Sequence, residues 1–179
     1  MNVTVRAQIM LPFAEKEWID VARAGRILGV GITTLYRLRA LRNEQGDPYI
    51  EGIDCGHGRR QRVKYSSVVR YCDYLRERYG IPDRRPQLDN PIFRHRDEDL
   101  LPFPLRDTMS IAEALKYTPW TSETALYQLI EEGAFWAYRI LPSAPWRISG
   151  SDFARWLQGR QNGARPAREA EDNGTPKVY

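Results

Sequence analysis

The residues best suited to chemistry in this chain form two clusters, one that mixes hydroxyl, apolar and arginine side chains and one made of cations. Ile32, Thr33, Thr34, Tyr36, Arg37 and Arg39 interleave with Leu35, Leu38 and Leu41, so the three leucines are expected to point inward and the polar set outward. Arginine pairs bidentately with guanine, threonine and isoleucine meet a thymine methyl, and hydroxyls bond phosphates or base edges. Further along, Arg59, Arg60, Arg62 and Lys64 precede Tyr65. With Val63 and Tyr65 facing inward, Arg60, Arg62 and Lys64 would form a row of cations on a hairpin, suited to the backbone or minor groove.

A second, weaker set shares the same plan. Ser122, Thr124, Tyr127 and Gln128 would face outward from a helix, with Arg139 and Arg147 on the segment after it. Glutamine reads adenine, but Glu123, Glu131 and Glu132 accompany it, and acids rarely face phosphates. The aromatic residues Phe135, Trp136, Tyr138 and Trp146 belong either to an exposed contact surface or to a small core. Trp136 and Trp156 are expected in that core. The second set is therefore left open between a DNA half-reader and a protein-interaction or dimerisation surface.

No catalytic constellation is found. His57 and His95 lie in a turn and a linker without a placed carboxylate or nucleophile, and Gly56-His57-Gly58 reads as a hairpin tip rather than a phosphate loop. Cys55, His57, Cys72 and His95 match no usual zinc spacing, and Cys72 falls on the buried stripe of a helix. Neither enzyme activity, cofactor nor metal is expected.

The elements that must position these residues occur twice. Asp20 and Ser110 each can cap a short apolar-periodic helix (Val21, Ala24, Ile27 and Leu28 in the first). Each helix breaks at Gly29 and Gly31, or at Pro119, and each restarts toward Leu-Tyr-x-Leu at Leu35 or Leu126. Next comes a β-rich, arginine-containing segment (Tyr49 to Tyr65; Phe135 to Ile148), then an amphipathic helix opened by Ser66 or Ser67, and by Ser151. Gly25 stands where the first helix of such a pair must approach the second closely. The fold class expected is mainly α with small β-hairpin wings: two winged helix-turn-helix modules joined by a Pro-rich linker.

The boundaries read as an N-terminal arm (1–17), a first module (18–80), a linker with five prolines (81–107), a second module (108–160) and a disordered tail (161–179). The linker's Phe93, Leu100, Leu101, Phe103 and Leu105 suggest a connector packed on the modules rather than a free tether. A hydrophobic content of 42%, with five Trp and ten Tyr, supplies enough apolar area for two small cores. Residues 18–80 hold twelve Lys and Arg against seven Asp and Glu, whereas residues 108–160 hold five of each, so the positive field belongs to the first module. With no long apolar run and no secretory pattern at the start, a cytoplasmic, nucleoid-associated protein without membrane contact is expected.

Leu28 to Arg39 (LGVGITTLYRLR), with Gly58 to Arg76 (GRRQRVKYSSVVRYCDYLR) after it, resembles the excisionase-like, MerR-related winged helix-turn-helix modules of the helix-turn-helix 17 type. Thr124 to Gly133 (TALYQLIEEG), Ala137 to Ile140 (AYRI) and Trp146 to Leu157 (WRISGSDFARWL) resemble the same modules. The chain departs from the pattern where Gly31 replaces a hydroxyl cap, where residues 42–49 lengthen the link to the wing, and where Trp120 sits in a longer second turn. The resemblance implies sequence-specific binding of double-stranded DNA, as a bacterial or phage transcription factor acting by operator occupancy, or as an excisionase that bends DNA for an integrase. An adaptor that uses winged modules to bind protein is the reading from another class, and self-association through the second module is a further partner expectation.

Overall fold

The structure is a computed structural model that describes residues 17–54, 61–85 and 96–161. Among these, two units repeat one order of elements: strand, helix, helix, strand, strand, helix. The first comprises β1 (Trp18–Asp20), α1 (Val21–Leu28), α2 (Ile32–Ala40), β2 (Gly52–Ile53), β3 (Arg62–Lys64) and α3 (Tyr65–Tyr79). The second comprises β4 (Thr108–Met109), α4 (Ile111–Leu115), α5 (Glu123–Glu131), β5 (Ala137–Tyr138), β6 (Arg147–Ser149) and α6 (Gly150–Gln161). The architecture is mainly helical with two small antiparallel sheets.

Each sheet has three strands, not the two of a simple hairpin. The orders are β1-β3-β2 and β4-β6-β5, so the last strand of each unit lies in the middle. Ile19 pairs with Val63, which pairs with Gly52; Met109 pairs with Ile148, which pairs with Ala137. Val63 and Ile148 thus hold equivalent central positions, and both are fully buried. By the same register Arg62 and Arg147 are equivalent.

Local chemistry fixes the helix pair of the first unit. The Asp20 carboxylate accepts the Arg23 N–H at 2.6 Å and starts α1. Gly29, at φ 61°, ends it, with the Gly29 N–H donated to Arg26 and the Val30 N–H to Gly25. A Cβ at Gly25 would stand 2.9 Å from the Val30 carbonyl oxygen, so the close approach at Gly25 is to the backbone of the turn between the helices. Leu35 and Leu38 are fully buried, but Leu41 lies past the helix end in extended conformation and is exposed, against expectation.

The closing helices also begin differently from expectation. α3 starts at Tyr65, and Ser67 acts two residues later: its hydroxyl donates to the Lys64 carbonyl and accepts the Glu51 N–H. In the second unit Asp152 takes the equivalent role, accepting the Trp136 N–H at 2.8 Å. Asp107 accepts from the Ser149 hydroxyl and from both the N–H and hydroxyl of Ser151, tying the connector to the start of α6. The second helix–helix link is also longer than one extra residue, because α4 ends at Leu115 and α5 begins only at Glu123.

Two cores result, and one is shared. Ile111, Leu126, Phe135, Ile148, Phe153 and Trp156 form the interior of the second unit, with Phe135 edge-on to Phe153 at 5.0 Å. The first unit's core takes in Leu100, Leu101 and Phe103 of the connector, together with Tyr138, Ile140 and Leu141 of the second unit. Tyr138 stacks edge-on against Phe103 at 4.9 Å, and Tyr71 donates its hydroxyl to the Ile140 carbonyl. Burying one such side chain stabilises by about 1.5–3 kcal/mol, so these residues hold the units together. Arg76, itself buried, donates to the carbonyls of Asp99, Leu100 and Leu101 and fastens the connector to α3. Phe93 of the connector lies outside the described residues.

Candidate nucleic-acid interface

The outward face of α2 carries Ile32, Thr33, Tyr36 and Arg37, all exposed, with Thr34 half-buried. More than half of Ile32 is open to solvent (54%), a large apolar exposure at the start of a helix. The α2 residues are positioned by Leu35 and Leu38, which lock the opposite face into the core. Arg37 has no ion pair, hydrogen bond or ring contact for its guanidinium among the described residues.

Arg39 differs from its neighbour. Its guanidinium donates to the Gln61 side chain at 2.9 Å, lies 5.7 Å from the Tyr36 ring and covers Gly52, where any side chain would collide with it. Arg39 therefore braces α2 against the β2–β3 hairpin rather than projecting freely, which corrects the outward placement. On that hairpin Arg62 is exposed and its guanidinium is unpartnered among the described residues, with the exposed Ile53 directly across the ladder. Cross-strand partners share a face, so an apolar and a cationic side chain stand together there.

Lys64 corrects the expected row of three cations. Its ammonium lies 3.2 Å from Glu51 and 3.7 Å from Glu17, and it is half-buried. Glu51 is engaged by Arg70 as well. Although burial alone would raise the Glu51 carboxyl, its bonds to Lys64 and Arg70 hold it below the usual range. Arg59 and Arg60 lie outside the described residues, as do Cys55, His57 and His95. Arg42, just past the end of α2, carries another guanidinium unpartnered among the described residues; the periodicity of α2 did not flag it, because it sits beyond the helix.

The second unit presents a different surface. Ser122 caps α5 by accepting the Thr124 N–H, and its hydroxyl also bonds the Thr124 hydroxyl. Tyr127 donates to Glu123 at 2.9 Å, and that bond raises its pKa. Gln128 is exposed beside them. α5 and its end carry Glu123, Glu131 and Glu132 without a cation.

Its hairpin faces the first unit. Arg147 donates from Nη1 to the Leu28 carbonyl at 2.8 Å and to the Tyr138 hydroxyl at 3.2 Å, and from Nη2 to the Gly29 carbonyl. It sits at the C-terminal end of α1, where free carbonyls attract a cation. Arg139 donates to the Pro142 carbonyl and lies over Trp146 at 4.3 Å. Neither guanidinium points outward as expected. Tyr138 is buried in the first core, Trp136 packs against that core beneath Arg84, and Trp146 meets Tyr79 edge-on.

Cys72 is buried, and burial pushes its thiol up to about 12. Among the described residues, no group of three or more His, Cys, Asp or Glu side chains is placed to hold a metal ion, and no helix is long and apolar enough to cross a membrane. Comparison of the chain with protein-family models, with characterised proteins and with solved structures returned no match.

Proposed function

We propose that this chain is a winged helix-turn-helix regulator that binds double-stranded DNA through its first unit, α2 entering the major groove and the β2–β3 hairpin lying along the backbone. The observation that carries the reading is the single exposed face on which Ile32, Thr33, Tyr36 and Arg37 stand, with guanidiniums unpartnered among the described residues at Arg37, Arg42 and Arg62. Cations left without internal partners suit phosphate neutralisation, and a fixed helix face of Thr, Ile and Arg suits base edges. Control by operator occupancy is the corresponding activity, because the surface needs no catalytic group.

The second unit acts as a buttress in this reading. Its hairpin is occupied by the first unit, and the acid-bearing α5 is the face it leaves open, which suits protein better than phosphate. Selection of bound sites from a random duplex library, with footprinting of the enriched sites, tests the proposal. The expected result is one enriched sequence contacted by one unit per chain. Absence of salt-dependent binding to any duplex would refute it and favour the adaptor reading.

A further inference from the structure

Between α1 and the connector lies a cleft of about 310 Å3, within the size range of small-molecule sites. Ile27, Leu101, Pro104 and Leu105 supply its apolar lining, and Arg26 and Arg106 supply its cations. The acids on the wall are already engaged. Asp97 takes two hydrogen bonds from Arg23, at 2.8 and 3.0 Å, and Glu98 faces Arg96 at 3.4 Å. The guanidiniums of Arg26 and Arg106 have no partner among the described residues. The cleft therefore offers two guanidiniums without internal partners among the described residues beside an apolar surface, with Asp97 bonded to Arg23 and Glu98 to Arg96.

We infer that this cleft binds a small organic monocarboxylate with an apolar body, and that its occupancy acts on the α1–α2 turn. Charge complementarity selects the carboxylate, since a guanidinium fork matches two carboxylate oxygens. A doubly charged phosphate ester suits the cleft less well, because the lining of Ile27, Leu101, Pro104 and Leu105 calls for an apolar body beside a single charge. The route to the turn is short. Leu105 lines the cleft and also packs on Gly29, so that a Cβ there would meet both Leu105 methyls, and Arg26 supplies a carbonyl that the Gly29 N–H uses to end α1. A ligand that moves Leu105 bears on the turn that leads into α2. The effect on DNA rests on the function proposed above; the binding does not.

The test uses the full chain, 15N-labelled and free of DNA, titrated with 3-phenylpropionate and separately with its neutral amide. Saturable shifts at the Gly29 and Leu105 amides with the carboxylate are expected, with the amide about tenfold weaker. The double variant Arg26→Gln, Arg106→Gln is expected to keep the wild-type melting temperature, since both side chains are exposed, and to lose about tenfold in affinity for the carboxylate. Equal binding of amide and carboxylate, or no saturable shift with either, overturns the site. A saturated protein whose affinity for its selected duplex is unchanged overturns the coupling. A smaller salt dependence of DNA binding in the double variant, without carboxylate binding by the wild type, makes the two arginines phosphate contacts and overturns the proposal. Ligand-free protein that binds no duplex refutes the DNA reading alone and leaves the titration as it stands.

Discussion

Arg147 and Gly29, 118 positions apart, are joined by a hydrogen bond from the guanidinium to the backbone carbonyl. The bond places a cation from the second unit at the turn between the two helices that form the proposed DNA-reading face. A residue that reads in sequence as a DNA contact instead sets the geometry of another unit's turn.

Replacing Arg147 by Ala should therefore lower stability by about 1.5–3 kcal/mol, the range for hydrogen bonds to charged groups, measured as a shift in the urea midpoint. The salt dependence of DNA binding should not change. A fall of about one in the slope of log K against log salt would restore Arg147 as a phosphate contact.

Arg37→Ala should cost about 1–3 kcal/mol on the selected site and much less on random duplex, as expected of a base-reading guanidinium. Equal losses on both in a fluorescence-anisotropy titration would assign Arg37 to phosphate.

Arg62 and Lys64 separate free from engaged cations. Arg62→Ala should reduce the salt slope by roughly one, whereas Lys64→Ala should leave it close to wild type, because Glu51 and Glu17 already neutralise the ammonium. The reverse ranking would show that the hairpin docks by its other face.

Asp83 predicts a local acid sensitivity. The Arg85 guanidinium bonded to Asp83 holds its carboxyl at about 2, so the bridge contributes stability above the ordinary carboxyl value of roughly 3.9 and loses it as the pH falls toward about 2. Because the Asp83 side chain is about half exposed, the effect is small. Asp83→Asn should flatten the loss of stability between about pH 4 and 2 in denaturation curves. Identical slopes for the two proteins would remove the bridge from the acid response.

Much of the scaffold was legible in the residues. The caps Asp20 and Ser110, the inward leucines at 35, 38 and 126 and the core position of Cys72 are consequences of helical periodicity and local hydrogen bonding. β1 and β4 were not, since strands of three and two residues are too short to show alternation. Their partner positions were likewise hidden, because the last strand of each unit inserts between the other two.

The fates of the arginines were the hardest to read. Arg62 and Arg147 hold the same place in the ladder and the same local pattern, yet one faces solvent and the other the end of α1. The difference lies in what packs alongside, and no local spacing encodes a neighbour more than a hundred residues away. Arg39 departs from its expected outward position for a nearer cause: Gly52 leaves room for its side chain to lie down.

The shared core also has a consequence for synthesis. Residues through Ile81 provide most of the first interior, but Tyr138, Ile140 and Leu141 complete it. At ~5–20 residues per second, several seconds separate the emergence of these two parts from the ribosome. Throughout that interval the nascent N-terminal half holds an apolar opening that its own residues cannot close. The order of translation and the order of assembly are thus out of step, because apolar surface that the finished molecule buries is made before the residues that cover it.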